Sequence, residues 1–213
     1  MDKIVDALAV LKKGQPVIVV DNEDRENEGD LIALGENITA ETVNFMVTKA
    51  RGLLCAPMAP ELAEKYGLKQ MVADNHETNQ TAFTVSLDGE HVSTGVTTGV
   101  SAFDRATTIK QLALADASEK DFVHPGHTFP LVAKAGGVLE RNGHTEAGVD
   151  LAKLAGTAPI AAIIEILLPD GHMARQNDLV QLAKEWQLPM ISIEELQAYL
   201  REQAAEEVEQ IAE

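Results

Sequence analysis

The residues best suited to chemistry form one stretch, Asp21-Asn22-Glu23-Asp24-Arg25-Glu26-Asn27-Glu28-Gly29-Asp30. Six of these ten are carboxylates, and Arg25 is the one cation among them. Clustered like charges repel, so stability alone explains such a loop poorly. A bound cation explains it better. A solvated turn is the bland reading. An EF-hand fits partly, but Gly35 stands where the twelfth, bidentate Glu is required, and no helix flanks the loop. An open magnesium-type site needs one or two carboxylates, water and substrate, and Arg25 beside it suits an anionic or hydroxyl-rich substrate. In extended backbone, Glu26, Glu28 and Asp30 would share one face, with Arg25 and Asn27 on the other.

A second cluster is Arg141-Asn142-Gly143-His144-Thr145. It precedes a helical pattern, so backbone N–H groups and the helix dipole favour an anion there. Arg141 adds a guanidinium of phosphate-matching geometry. His144 is either a ligand here or a capping histidine. Glu165 interrupts the apolar run 160–168, and an unpaired buried carboxylate is costly. It either faces outward or is kept for chemistry. His124 and His127, in a Pro/Gly-rich segment, are surface residues or an acid or base. Cys55 reads as a small apolar filler. The chain has no P-loop, dinucleotide fingerprint, HExxH or paired CxxC.

These groups must be positioned by 213 residues that are 45% apolar and only 4% aromatic, so the core is aliphatic. A single domain of this size buries roughly 70–75% of its unfolded surface without needing a disulfide or structural metal. The net charge of −17 argues against nucleic acid or an anionic membrane as partner. The one cysteine excludes an internal disulfide and fits a reducing compartment. With no membrane-length apolar run and no apolar signal core, the expectation is a soluble, cytoplasmic protein.

The patterns predict helices over 3–13, 39–51 (capped by Thr39, stopped by Gly52), 60–67 and 101–115 (a Ser101–Asp104 capping box). Further helices are expected over 145–155 (capped by Thr145), 177–187 and from 194 on. Strands are expected at 17–20, 31–34, 53–56, 83–87, 131–133, 138–139, 160–168 and 190–193. Segments 72–81 and 122–130 read as long loops. Residues 1–213 form one domain, with 202–213 an acidic helix end that frays. The alternation of elements suggests a mixed sheet with helices on both faces.

DNEDRENEGDLI (21–32), TTGVSAFDR (97–105), HPGHTFPL (124–131) and GHTEA (143–147) together resemble the 3,4-dihydroxy-2-butanone 4-phosphate synthase family. The resemblance runs from about residue 3 to 200, with the motifs in family order, at the length of the stand-alone form rather than the version fused to GTP cyclohydrolase II. It implies an α+β, three-layer α/β/α fold around a mixed sheet. It also implies a homodimer with sites at the interface, and a carbon–carbon lyase of riboflavin biosynthesis. D-ribulose 5-phosphate would become L-3,4-dihydroxy-2-butanone 4-phosphate and formate, with magnesium (or manganese) and no organic cofactor. Carried over by motif, Glu26 and His144 would ligate the metal, and Arg25 and Asp30 would contact the sugar. Arg141, Asn142, Gly143, His144 and Thr145 would hold the phosphate end, with Thr98 from the partner subunit. His127 and Glu165 would be the acid–base pair, and Glu28 would support the acidic loop; Asp21, Glu23 and Asp24 have no role beyond solvation. The sequence departs from the family pattern at 74–79, at Ala161-Ala162 and at His172. The rival readings are an acidic cation-binding module, which requires neither the 141–145 cradle nor Glu165, and a metal-dependent phosphosugar aldolase or isomerase.

Overall fold

A computed structural model describes the backbone of residues 2–212 and the side chains of residues 2–206. Among these lie helices α1 (Ile4–Leu11), α2 (Ala40–Lys49), α3 (Pro60–Lys65), α4 (His91–Thr94), α5 (Ala102–Ala113), α6 (His144–Ala155), α7 (Gln176–Trp186) and α8 (Ile193–Ala212). The strands are β1 (Val17–Val20), β2 (Gly29–Leu34), β3 (Cys55–Met58), β4 (Leu87–Gly89), β5 (Phe122–Val132), β6 (Ala161–Glu165) and β7 (Met190–Ser192). They form one seven-stranded sheet in the order β4-β5-β3-β6-β2-β1-β7. β1/β7 and β3/β5 pair in parallel; β1/β2, β2/β6, β3/β6 and β4/β5 pair antiparallel.

The central strands are apolar at nearly every position because both sheet faces are covered. Val17, Val19, Ile32, Leu34 and Ile163 pack against Leu8, Leu11, Leu151 and Leu196 of α1, α6 and α8. The alternate residues Ile18, Val20, Leu31, Ala33 and Ile164 pack against Val43, Met46, Ile109 and Leu179 of α2, α5 and α7. This is the expected α+β, three-layer α/β/α architecture with a mixed sheet. Thr39 caps α2 by accepting from Thr42 N, and left-handed Gly156 closes α6.

Several local expectations are corrected. Residues 122–130 are not a loop but most of β5. Its far half pairs with β3, its near half with β4, and a register shift at Leu87/Asp88 leaves the Pro- and His-containing middle exposed. That irregularity hides the strand's alternation. Residues 138–139 are not a strand: Val138 N donates to the buried Asp150 carboxylate in a 3-10 turn, Gly137–Leu139. Only bridges form at Phe83 and Thr84 before β4. Gly143, not Thr145, caps α6, and no side chain caps that helix. Ser101 does accept from Asp104 N. The Asp104 carboxylate, however, accepts from Thr97 and Gly99 rather than completing a capping box. Arg51, at φ 70°, takes the left-handed position expected of Gly52. The acidic C-terminal segment is helical to Ala212; its side chains from 207 on, and Glu213, lie outside the described residues.

Candidate active site

A cavity of about 120 Å³ opens where β2, β6 and α6 meet the acidic loop. Arg25, Glu26, Glu28, Asp30, Arg141, His144, Thr145 and Glu165 line it, with Cys55 and Ile163 as apolar wall. The sheet register explains the carboxylate pair, since Asp30 of β2 stands directly opposite Glu165 of β6. Like charges facing each other across strands destabilise a sheet, so the pair marks a site rather than a structural device. Glu165 is only half-buried, and its Oε2 accepts from Leu53 N at 2.8 Å. That approach requires Gly52, because a Cβ there would lie 2.5 Å from the same Glu165 oxygen.

The acidic loop is not extended. Asp21 is its organiser: Oδ1 accepts from Glu28 N, while Oδ2 accepts from Glu26 N and from Arg25 at 3.0 Å. The Asp21 side chain is 1% exposed, which corrects the expectation of mere solvation. The resulting turn puts Arg25 against Glu26 (2.5 Å) rather than on an opposite face. Arg175, at the cap of α7, donates to the carbonyls of Glu26 and Asn27 and holds the loop from outside.

His144 opens α6 and is buried. Its Nε2 lies 3.1 Å from the Val19 carbonyl. A carbonyl only accepts, so Nε2 carries a proton, and Nδ1 is the nitrogen that faces the cavity. Nδ1 stands 3.8 Å from Glu26 Oε2 and 3.7 Å from Asp30 Oδ1. These distances exceed hydrogen-bond length, and buried Asp30 Oδ1 has no hydrogen-bond partner. One nitrogen and two carboxylates therefore converge without satisfying one another, a donor set that fits a divalent cation. Asp21, Glu26 and His144 also each present a ligand atom within 4.8 Å of the others.

Without a cation the charges rearrange the protons. The His144 imidazole beside it holds Glu26 down to about 2, against burial and helped by Arg25. Burial pushes Asp30 up to about 7, with Glu165, Glu26 and Glu28 adding to the rise. Burial would lower His144, but Asp30, Glu26 and Asp21 outweigh it and raise the ring to about 9. Glu28 is raised by burial and then by Glu26. Burial likewise pushes the Cys55 thiol well above its usual range, which suits a wall residue.

Facing these acids is the start of α6. Arg141 is braced by Glu146 at 2.6 Å and donates to the Asn79 carbonyl at 3.1 Å. Glu146 also accepts from Lys134 N. Gly143 is what lets Arg141 and Glu146 meet, since a Cβ there would collide with both side chains. With no capping side chain on α6, its first-turn N–H groups remain donors beside Thr145. Asn142 is not part of this cavity; it lines a neighbouring hollow of about 570 Å³ with Asp21, Glu23 and Asp24.

Two expected residues lie elsewhere. His127 sits on β5, two strands from β6, and does not line the cavity. Its Nδ1 donates to Asp88 Oδ2 of edge strand β4 at 2.7 Å, and its backbone N–H donates to Asp88 Oδ1. The exposed Thr98 precedes Gly99, whose φ of 88° and lack of a side chain let the 97–99 turn close on Asp88 and His127. Within one chain His127 and Glu165 are therefore separate. Sequence reading assigned no role to Asp88, Asn79, Glu146 and Arg175; Asp88, Asn79 and Arg175 act through contacts distant in sequence, whereas Glu146 lies only five residues from Arg141, within the GHTEA segment, and could have been found there.

The sequence model of the 3,4-dihydroxy-2-butanone 4-phosphate synthase family matches residues 5–199. The chain belongs to that family. Riboflavin biosynthesis protein RibBA of Bacillus cytotoxicus is 53% identical over 199 residues, which is 93% of this chain and 49% of the relative. The protein of the same name from Bacillus mycoides is 56% identical over the same shares. The chain thus spans about half the length of these relatives. A crystal structure of 3,4-dihydroxy-2-butanone 4-phosphate synthase in complex with two magnesium ions superposes with a TM-score of 0.90 at 44% identity, covering 95% of this chain and 98% of that one. The cation-free form of such a synthase gives a TM-score of 0.86 at 43% identity, with the same coverage.

Proposed function

We propose that this family member converts D-ribulose 5-phosphate to L-3,4-dihydroxy-2-butanone 4-phosphate and formate, acting as a divalent-metal-dependent carbon–carbon lyase of riboflavin biosynthesis. The observation that carries the proposal is the single cavity in which Glu26, Asp30, Glu165 and His144 face Arg141 and Thr145. A pure cation-binding module needs no such anion-binding wall.

Glu26 and His144 Nδ1 would hold magnesium or manganese, with Asp30 and Asp21 close behind. When bound, the ion supplies Lewis-acid stabilisation to oxyanions of the sugar. No organic cofactor is invoked. Arg141, Thr145 and the open N–H groups of α6 anchor the phosphate, and that binding energy orients the reacting carbons. Arg25 and Asp30 address the sugar hydroxyls. Asp30, poised near neutrality by burial, can accept a proton from one carbon or oxygen and return it to another. Glu165, one strand away, offers a second carboxylate for the enolisation, dehydration, rearrangement and C4-loss steps. Glu28 keeps the loop closed over them.

The proposal includes a homodimer. His127 and Thr98 sit together on the β4/β5 edge, where Val92 (88% exposed), Phe103 (71%), Val100 and Val123 leave apolar surface uncovered. We assign them to the partner's cavity: Asp88 fixes the His127 tautomer, and Nε2 is left to work as acid or base opposite Glu165. We also place the enzyme in the cytoplasm, with neither membrane nor nucleic acid as partner; no described helix is long and apolar enough to cross a membrane. Incubating the protein with ribulose 5-phosphate and Mg²⁺ and measuring formate tests the reaction. A folded protein that releases none would overturn it.

A further inference from the structure

The segment 72–81 belongs to neither helix nor strand, only bends and turns, and it has no part in the chemistry proposed for the cavity. It is nonetheless built. Glu77 N donates to the Asn75 side chain, the Glu77 carboxylate accepts from Asn79 N and Thr81 N, and Asn75 Nδ2 donates to the Thr81 carbonyl. Held in this way, half-buried Asn79 reaches both halves of the cavity. Its Nδ2 donates to Glu26 Oε1 at 2.7 Å, and its carbonyl accepts from Arg141 Nη2 at 3.1 Å.

The Glu26 contact divides the labour between that residue's two oxygens. Oε1 is taken by Asn79, while Oε2 faces Arg25 at 2.5 Å and His144 Nδ1 at 3.8 Å. An amide suits this position because it fixes the plane of the carboxylate without adding a second positive charge to the one that Arg25 already brings to Oε2. We infer that Asn79 is a positioning residue that fixes the Glu26 carboxylate so that Oε2 and His144 Nδ1 converge on a divalent cation. The inference rests on the metal reading proposed above and adds the residue that presents the ligand.

The test is Mn²⁺ titration of the metal-free protein, with free aquo-ion read by electron paramagnetic resonance, alongside inorganic phosphate binding by calorimetry. Asn79→Ala and Asn79→Ser should each weaken Mn²⁺ binding roughly tenfold, the size expected when a hydrogen bond to a charged group is lost. Asn79→Gln, which keeps the donor, should recover part of the loss. Thr78→Ala, exposed on the same turn, should change nothing. Phosphate affinity should stay within about twofold throughout, because the carbonyl that meets Arg141 is present in every variant. Unchanged Mn²⁺ binding in the alanine and serine variants overturns the inference while leaving the metal reading intact. So does a parallel loss of Mn²⁺ and phosphate binding, which would mean the turn merely collapsed. If the unaltered protein binds no Mn²⁺, the metal reading itself falls, and this inference with it.

Discussion

The cavity at β2/β6 and the cluster at β4/β5 are built from similar parts to different standards. In the cavity, His144 and Asp30 are buried, Glu26 is held by both Asn79 and Arg25, and His144 is anchored on the Val19 carbonyl. At the edge, Asp88 is buried but His127 keeps 49% of its side chain exposed, beside uncovered Val92 and Phe103. Both regions rely on glycines for close approaches, Gly52 against Glu165 in the cavity and Gly99 against Asp88 and His127 at the edge among them. The contrast is the one the proposed dimer requires: a cavity whose groups already converge, and an edge where Asp88 fixes a half-exposed histidine that lines no part of its own chain's cavity.

The largest effects should come from the cavity. Glu26→Gln and His144→Ala should each lower turnover on the order of 10³-fold or more, since each removes a group that would hold the charge stabilising the transition state. Circular dichroism should stay unchanged, and full activity in either variant would remove that residue from the site. His127→Ala should cost roughly 10²–10⁴-fold, the span of a lost general acid or base. The sharper experiment mixes two inactive chains, His127→Ala and Glu165→Gln, by co-expression. If the regions complete each other across a two-fold axis, half the dimers are mixed and each carries one intact site, restoring about a quarter of the activity. If both residues serve a site within one chain, mixing restores nothing.

The same contrast explains what the sequence made legible. The apolar runs at 17–20, 31–34 and 160–168 announced buried strands because both sheet faces are covered. The carboxylates of 21–30, with Arg141, His144 and Glu165, announced the cavity because such residues are expensive to place together for any structural reason. The edge was less legible. Residues 122–130 looked like loop because the strand they form is interrupted by a register shift and carries Pro125 and Gly126. Asp88 looked like the end of a hairpin, since nothing local ties it to His127, 39 positions away. Asp21 was misjudged for a similar reason: its three bonds form only once the loop folds back, whereas an extended strand would have left it in water.

A smaller effect probes the anion wall facing the acids. Arg141→Ala should raise KM for the phosphorylated substrate roughly ten- to a hundredfold, the worth of a lost charge-assisted hydrogen bond, with a lesser effect on kcat. Glu146→Gln, which leaves Arg141 charged but less firmly braced, should do the same more mildly. An unchanged KM in Arg141→Ala would separate the helix end from substrate binding and weaken the contrast between a complete cavity and an incomplete edge.

The smallest predicted effect concerns protons and tests whether the cavity is preorganised for a cation. In the metal-free protein, Asp30 and Glu26 raise His144 to about 9, so at pH 7 the ring carries an extra proton. Nδ1 must lose that proton before it can act as a ligand. Metal binding should therefore release at least one proton at pH 7, from His144 and in part from Asp30, and apparent affinity should rise at least tenfold per pH unit up to about 7 and about tenfold per unit from there before levelling near 9. The sign follows from the raised value: below it the proton holds the site, and above it Nδ1 is free. Mn²⁺ calorimetry in buffers of different ionisation enthalpy counts the proton directly. The edge provides the control, because His127→Ala should leave both the count and the slope unchanged. If that variant altered either, the two clusters would be electrostatically one site within the chain, and the division between a binding cavity and a partner-directed edge would be wrong.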